Sequence, residues 1–228
     1  QLVTVTVAGT NDLPVISGTS VVSGVVTEDT TLTASGQLKA SDVDHGATQT
    51  WSVDRTADTY GTFAIDAKTG QWTYSLANSS AVVQALAQGE VHNETFNVTV
   101  TDDKGATASQ VVTVAVNGTN DLPVITNTVS ALSGSVKEDT TLTATGQLSA
   151  SDVDNGATQT WSVVNSSGTY GSLAVSSTGL WTYTLVNTSA AVQALAQGFG
   201  FLAGILIVRT LPKEDYAFFM IVNTVGPI

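Results

Sequence analysis

The chain repeats itself. Gly9-Thr-Asn-Asp-Leu-Pro-Val-Ile16 returns as Gly118-Thr-Asn-Asp-Leu-Pro-Val-Ile125, Glu28-Asp29 as Glu138-Asp139, and Asp42-Val-Asp44 as Asp152-Val-Asp154. A period of about 110 residues makes the fold unit one repeat, and the chain an array rather than a single domain. From Glu28 to Val53 against Glu138 to Val163, only Ser35/Thr145, Lys39/Ser149 and His45/Asn155 differ. So close a duplication copies every residue, so repetition alone does not mark one as functional. Residues 1–8 follow the pattern of Gln110–Asn117 and read as the last strand of a preceding repeat, in which the chain would begin. Residues 9–117 form a complete repeat. Residues 118–198 form a second, truncated one, and residues 199–228 are of different character.

Within each repeat, apolar residues alternate with polar ones over short runs. Val3, Val5 and Val7 do so, as do Trp51 and Val53, then Trp72, Tyr74 and Leu76, then Phe96, Val98 and Val100, then Val112, Val114 and Val116. Leu32 to Leu38 reads as a strand, and Tyr60, Phe63 and Ile65 lie in a less regular one. Gly, Asn and Asp clusters separate the runs. Around seven short strands per repeat is the pattern of an antiparallel β-sandwich, so the fold class is all-β, in tandem sandwiches. One segment breaks the period. Ser79 or Ser80 can cap a helix, Val82, Val83 and Leu86 have helical spacing, and Gly89 can stop it. A short helix is expected there and again at Ser189–Gly198.

The formal charge of −12 argues against nucleic acid and anionic membrane as partners. All of it lies in residues 1–198, because Arg209, Lys213, Glu214 and Asp215 cancel in the remainder. Cysteine is absent, which excludes disulfide staples, thiolate metal sites and thiol catalysis.

After Gly198 the Thr/Asp-rich alternation stops. The first repeat continues Glu90-Val-His-Asn-Glu into two more strands, whereas the second continues Phe199-Gly-Phe-Leu-Ala-Gly-Ile-Leu-Ile-Val208. That apolar run falls short of the roughly 20 residues that span a bilayer. A second run, Ala217–Val222, follows. Pro212-Lys-Glu-Asp reads as a helix start with acids in its first turn, so both runs are expected to be helical. Gly204-Ile-Leu-Ile-Val-Arg-Thr-Leu-Pro-Lys-Glu-Asp-Tyr-Ala217 resembles the N-terminal region of polysaccharide flippases. A fusion or assembly junction near residue 199 is the simpler reading, and no transport function is assigned.

The chemistry-bearing pattern is Asn-Asp-x-Pro, then Glu-Asp, then Ala-Ser-Asp-x-Asp-x-Gly, then a strand ending in Thr-Asp-Asp. Together with Trp-Thr-Tyr-x-Leu, Val-Gln-Ala-Leu-Ala-x-Gly and Thr-Phe-x-Val-Thr-Val, it resembles the VCBS repeat over residues 1–198. That family occurs in very large bacterial surface and secreted proteins, many similar to RTX adhesins exported by type I secretion. The resemblance implies a cadherin-like or immunoglobulin-like sandwich that is extracellular or on the bacterial cell surface, where such proteins serve in adhesion and biofilm. By the cadherin analogy, Glu28, Glu90, Asn120, Asp121, Asp152 and Asp154 would hold Ca²⁺ at the junction between the repeats. Asn11, Asp12, Asp42, Asp44 and Asp102 or Asp103 would hold it at the junction before. Six oxygen donors suffice for an ion that takes six to eight. The competing reading is that these Asp and Asn residues cap turns. The cadherin Asp-Arg-Glu triplet is absent, and Glu90 only stands near the place of its glutamate.

Other chemistries fare worse. An EF-hand starting at Asp42 would need Gly and Glu where Ala47 and Val53 stand, and the Gly-rich RTX nonapeptide is absent. His45 is replaced by Asn155 in the second repeat, and His92, between Glu90 and Glu94, reads as a solvated loop residue. Ser and Thr lack a partnered base, so the chain is not expected to be an enzyme. Trp51, Trp72, Tyr74, Trp161, Trp181 and Tyr183 fit core packing better than a sugar-stacking platform. The expected function is an extracellular structural and adhesion repeat stiffened by Ca²⁺. Its expected partners are neighbouring repeats, with surface or matrix glycans or proteins as further candidates. A carbohydrate-binding module, or a non-catalytic spacer of a larger secreted enzyme, is the alternative.

Overall fold

The computed structural model describes residues 1–196, 204–210 and 216–224, those beyond Ala194 as backbone only. The chain divides into two compact units, Gln1–Asn120 and Asp121–Ile228.

The first unit contains β1 (Val15–Ile16), β2 (Ser23–Thr27), β3 (Thr33–Gln37), β4 (Ala40–Ser41), β5 (Gln49–Val53), β6 (Gly61–Ile65), β7 (Gln71–Leu76), α1 (Ala81–Gln84), β8 (Val91–Asp102) and β9 (Thr107–Asn117). A four-stranded sheet in the order β2-β9-β8-β5 faces a three-stranded sheet in the order β3-β7-β6, and β1 pairs with β4. The seven strands of the two larger sheets match the expected count. All pairings are antiparallel except β2 with β9, which run parallel from Ser23↔Thr113 to Thr27↔Asn117. Alternate residues along a strand point to the same face. Trp72, Tyr74 and Leu76 on β7 therefore meet Phe96, Val98 and Val100 on β8 and Val112, Val114 and Val116 on β9 in one core. Phe63 stacks on Phe96 with ring centroids 4.5 Å apart. Glu94 enters this core as well, accepting hydrogen bonds from Tyr74 Oη at 2.6 Å and Tyr60 N at 2.6 Å.

The second unit contains β10 (Val124–Ile125), a 3-10 turn (Val129–Leu132), β11 (Thr143–Gln147), β12 (Ala150–Ser151), β13 (Thr160–Trp161), β14 (Gly171–Val175), β15 (Leu180–Leu185), α2 (Ala190–Ala196), β16 (Gly204–Thr210) and β17 (Tyr216–Thr224). The β11-β15-β14 sheet and the β10-β12 pair copy β3-β7-β6 and β1-β4. The other sheet differs. Its order is β13-β17-β16, with β17 parallel to β13 and antiparallel to β16.

Two expectations change. The apolar runs beyond residue 203 are strands and not helices. Ile205, Ile207, Val208, Phe218, Phe219, Ile221 and Val222 are β-branched or aromatic, and the two runs satisfy each other's backbone over the whole of β16. A helix there would leave the β13 edge without a ladder. The start of the first run at Phe199 and the Pro212-Lys-Glu-Asp segment lie outside the described residues. The expected helix at Ser79–Gly89 shrinks to the four residues of α1, capped by Ser80 and with Val82 outside the core. Residues 1–8 ladder with no described segment of this chain. Among the described residues, no helix is long and apolar enough to cross a membrane.

Candidate metal centre

At one end of the first unit, the fold gathers the Asn-Asp and Asp-x-Asp motifs. Strand β8 ends at Asp102, which is buried. Its Oδ1 accepts from the backbone N–H groups of Lys104 and Ala106, both at 2.8 Å, across a turn that Gly105 closes at φ +92°. Its Oδ2 accepts from Asn11 Nδ2 at 2.8 Å. The next residue along, Asp12, donates its backbone N–H to Asp44 Oδ2 at 2.8 Å. Asp44 N in turn donates to Asp42 Oδ1 at 2.9 Å, the short-range bond that closes an Asx-turn. Asn11 thus reaches the end of β8, and Asp12 the loop after β4. Asp42 Oδ2 is shielded from solvent and has no hydrogen-bond partner. Beside this group, Asp103 pairs with Lys104 Nζ at 2.6 Å. A cleft of about 420 Å³ lies over it, lined by Gly9, Thr10, Asn11, Asp44, His45, Ala47, Asp103 and Lys104.

Two of these carboxylates favour the charged form. The Asn11 amide, followed by the turn N–H groups, holds the Asp102 carboxyl below its usual range. The Lys104 ammonium does the same for Asp103, and that carboxylate raises Lys104 in return.

The expected ligands at the start of β8 lie far from these. Twelve residues of strand separate the ends of β8 by roughly 35–40 Å. Glu28 follows β2 and is fully buried. It accepts from Gln84 Nε2 at 3.0 Å and from Thr119 N at 3.2 Å. Glu90 accepts from Ala87 N at 3.2 Å and pairs with His92 Nε2 at 2.7 Å, while its carbonyl receives Gly118 N at 3.0 Å. Asn120 ends the same segment and is exposed. In the second unit, Asp121 N donates to Asp154 Oδ2 at 2.9 Å, and Asp154 N to Asp152 Oδ1 at 3.1 Å. These are the same two bonds that Asp12, Asp44 and Asp42 make.

Among the described residues, no group of three or more Asp, Glu or His side chains is arranged to hold a metal ion. The bonds of these carboxylates run largely to backbone N–H groups. Asp29 stands outside the expected ligand set, and its φ of 57° places it in the left-handed region. Asn78 holds it there, accepting Asp29 N at 2.9 Å and donating to Asp29 Oδ1 at 2.8 Å. Asp139 and Asn187 repeat both bonds, so the paired recurrence of Asp and Asn is the signal in the sequence that could have found it.

The aromatic rings face inward. Trp51, Trp72, Tyr74, Trp181 and Tyr183 are buried, and Trp161 is half-buried. His92 lies on β8 rather than in a loop, its ring 5.0 Å from that of Tyr60.

The model of the bacterial cadherin-like domain matches residues 11–118 and again residues 120–201. Among solved structures, the extracellular cadherin domains 1–5 of protocadherin gamma B2 align with a TM-score of 0.52 at 16% identity, over 93% of this chain and 39% of that one. Domains EC1–4 of Drosophila N-cadherin align with a TM-score of 0.49 at 15% identity, over 92% and 49%. Human CDH23 EC21–23 aligns with a TM-score of 0.45 at 15% identity, over 85% and 57%. The chain therefore spans little more than half, or less, of the solved chains it resembles. No curated protein sequence matches it.

Proposed function

The chain belongs to the bacterial cadherin-like domain family, and from that premise we propose that it is an extracellular structural and adhesion repeat module, of the VCBS type found in large RTX-like surface proteins, whose junctions take up Ca²⁺. Cadherin-like domains are generally non-catalytic adhesion modules, and the matched family is not an enzymatic one.

The observation that carries the reading is the network joining Asn11, Asp12, Asp42, Asp44 and Asp102 at one end of the first unit. It unites the entry segment, the Asp-x-Asp loop and the end of β8. The residues fit a hard cation. Every donor is an oxygen, Asp102 and Asp103 are held in the charged form, and Asp42 Oδ2 is an acceptor shut from water without a donor. Asn11, Asp12, Asp42, Asp44 and Asp102 or Asp103 would hold the ion before the first unit. Glu28, Glu90, Asn120, Asp121, Asp152 and Asp154 would serve the junction between the units. Bound Ca²⁺ would supply positive charge to these carboxylates. The chain's own residues fix the entry segment against the loop and the end of β8 through the Asn11 and Asp12 bonds. Neighbouring repeats are the partners this reading requires.

The carbohydrate-binding alternative needs an aromatic platform on the surface. The burial of Trp51, Trp72 and Tyr74 leaves the first repeat without those rings outside.

Calorimetric titration of the chain with CaCl₂ tests the proposal. Extracellular modules bind Ca²⁺ at roughly 10⁻⁴–10⁻³ M, and binding in that range is expected. Asp42→Asn and Asp152→Asn should each weaken it. Small-angle scattering should show a longer, less variable particle with Ca²⁺ than with chelator. Absence of heat together with identical scattering profiles rejects the calcium junction.

A further inference from the structure

Two asparagines of this chain stand directly before glycine, at Asn117-Gly118 and Asn155-Gly156. A residue without Cβ lets its backbone nitrogen approach the side-chain carbonyl of the asparagine before it. Attack there closes a succinimide ring, and the amide group leaves as ammonia. The reaction needs the glycine nitrogen accessible and room for the ring.

The fold treats the two pairs differently. Asn117 ends β9 and is laddered on both sides, to Val91 of β8 and to Thr27 of β2. Gly118 N, the nitrogen that would attack, donates to Glu90 O at 3.0 Å. Gly118 is buried, and a Cβ built on it would stand 2.2 Å from Leu86 O. Asn155 and Gly156 are both exposed. Ala157 N donates to Asp154 O at 3.2 Å and closes a β-turn with this pair at its centre. That bond uses the Ala157 N–H and not the one on Gly156. Gly156 has φ +72°, the left-handed turn conformation that calls for glycine, and nothing lies within 4 Å of where its Cβ would be. The first repeat builds the same turn, with Ala47 N on Asp44 O at 3.2 Å and Gly46 at φ +77°. His45 takes the place of Asn155 there and has no amide to lose.

We propose that Asn155 is a site of spontaneous deamidation, through which the Asp152-Val-Asp154 loop gains a further carboxylate as the protein ages. Gly156 N bonds to Asn155 Cγ, and the Cγ–Nδ2 bond breaks. Nδ2 leaves as ammonia with the proton that Gly156 N gives up. Water then opens the ring at either carbonyl, giving aspartate or isoaspartate, and either product exchanges a neutral amide for a carboxylate. The new charge stands beside Asp154, whose Oδ2 accepts Asp121 N at 2.9 Å and whose N–H donates to Asp152 Oδ1 at 3.1 Å. The loop at His45 keeps its charge, so two near-identical loops diverge with time. One consequence rests on the calcium reading of this loop. The aspartate product should tighten the site, because Ca²⁺ affinity is tuned by the charge of the ligands.

Peptide mapping by mass spectrometry of the full chain, aged for days in warm neutral buffer, tests the site. The peptide holding Asn155 should gain the mass of an amide-to-acid conversion and split into aspartate and isoaspartate forms. The peptide holding Asn117 should stay unchanged over the same interval. In denaturant both should convert at similar rates, because the fold alone protects Asn117. Ion exchange of the intact folded chain should show a more acidic species growing in step with the Asn155 product. Asn155→His, which installs the residue of the first repeat, should abolish that species. Calorimetric titration with CaCl₂ should find tighter binding in Asn155→Asp than in the unmodified chain. Equal binding would overturn the consequence for the site, and no binding by either protein would reject the calcium reading while the mass map still decides the deamidation. An Asn155 peptide that keeps its mass, an Asn117 that converts as fast in the folded chain, or an acidic species that survives Asn155→His would each overturn the proposal.

Discussion

Asp102 carries two tasks with one side chain. It closes the turn after β8 and receives Asn11 from a segment distant in sequence. These bonds all go to the charged carboxylate, so its folded pKa lies below the usual 3.8. Asp66 is lowered in the same direction, first by the Thr69 backbone N–H in the turn between β6 and β7. A group with a depressed folded pKa contributes stability that is fully present above its unfolded value. That contribution is lost as the pH falls through the folded value. In chelator, the melting temperature of the chain should therefore hold near neutral pH and fall as the pH drops below about 4. The slope should be shallower in Asp102→Asn than in the unmodified chain, and shallower still with Asp66→Asn added. Equal acid slopes in all three proteins would mean that neither carboxylate is linked to folding. Asn11 and Asp102 are each legible as candidates, from the Asn-Asp-x-Pro and Thr-Asp-Asp motifs. Their contact is not, since it joins residues 91 positions apart and depends on where β8 ends.

Elements are legible where one face is buried. Strands β7, β8 and β9 show clean alternation because the sandwich core lies on one side of each. The strands beyond residue 203 escape a sequence reading because a local helix-start signal stands beside them, while the ladder that decides the matter is long-range. Element packing also explains a glycine that pattern alone leaves mute. A Cβ on Gly36 of β3 would stand 2.6 Å from the Trp72 indole. Trp72 cannot retreat freely, because its Nε1 donates to Val21 O at 2.8 Å. Gly36→Ala should thus destabilise the first unit by about 1–3 kcal/mol, the usual cost of overpacking. Denaturant unfolding followed by tryptophan fluorescence measures it. Gly46→Ala, where nothing lies within 4 Å but φ is +77°, separates backbone strain from the clash. An unchanged midpoint for Gly36→Ala would show that the indole relocates at little cost.

At the scale of the molecule, two near-copies of one sequence fold into units of unequal completeness. In the first, Glu94 of β8 satisfies Tyr74 Oη. In the second, the equivalent hydroxyl of Tyr183 is buried without a hydrogen-bond partner, and Trp181 Nε1 reaches Ala131 O only at 3.4 Å where Trp72 reaches Val21 O at 2.8 Å. The β13-β17-β16 sheet also substitutes a short parallel pairing of β13 for the five-residue antiparallel pairing of β5 with β8. Each unsatisfied buried group costs about 1–3 kcal/mol, a large share of the 5–15 kcal/mol that holds a domain. The second unit should therefore open first. Limited proteolysis with a protease of broad specificity should cut residues 199–228 earliest, then the rest of the second unit, and leave a resistant fragment near residues 9–117. Calorimetric melting should show two transitions, and Tyr183→Phe, which removes the orphaned hydroxyl, should raise only the lower one. A resistant fragment running through Ile228, or a single transition lowered or unmoved by Tyr183→Phe, would show that the β16–β17 pair completes the second sandwich as well as β8 and β9 complete the first.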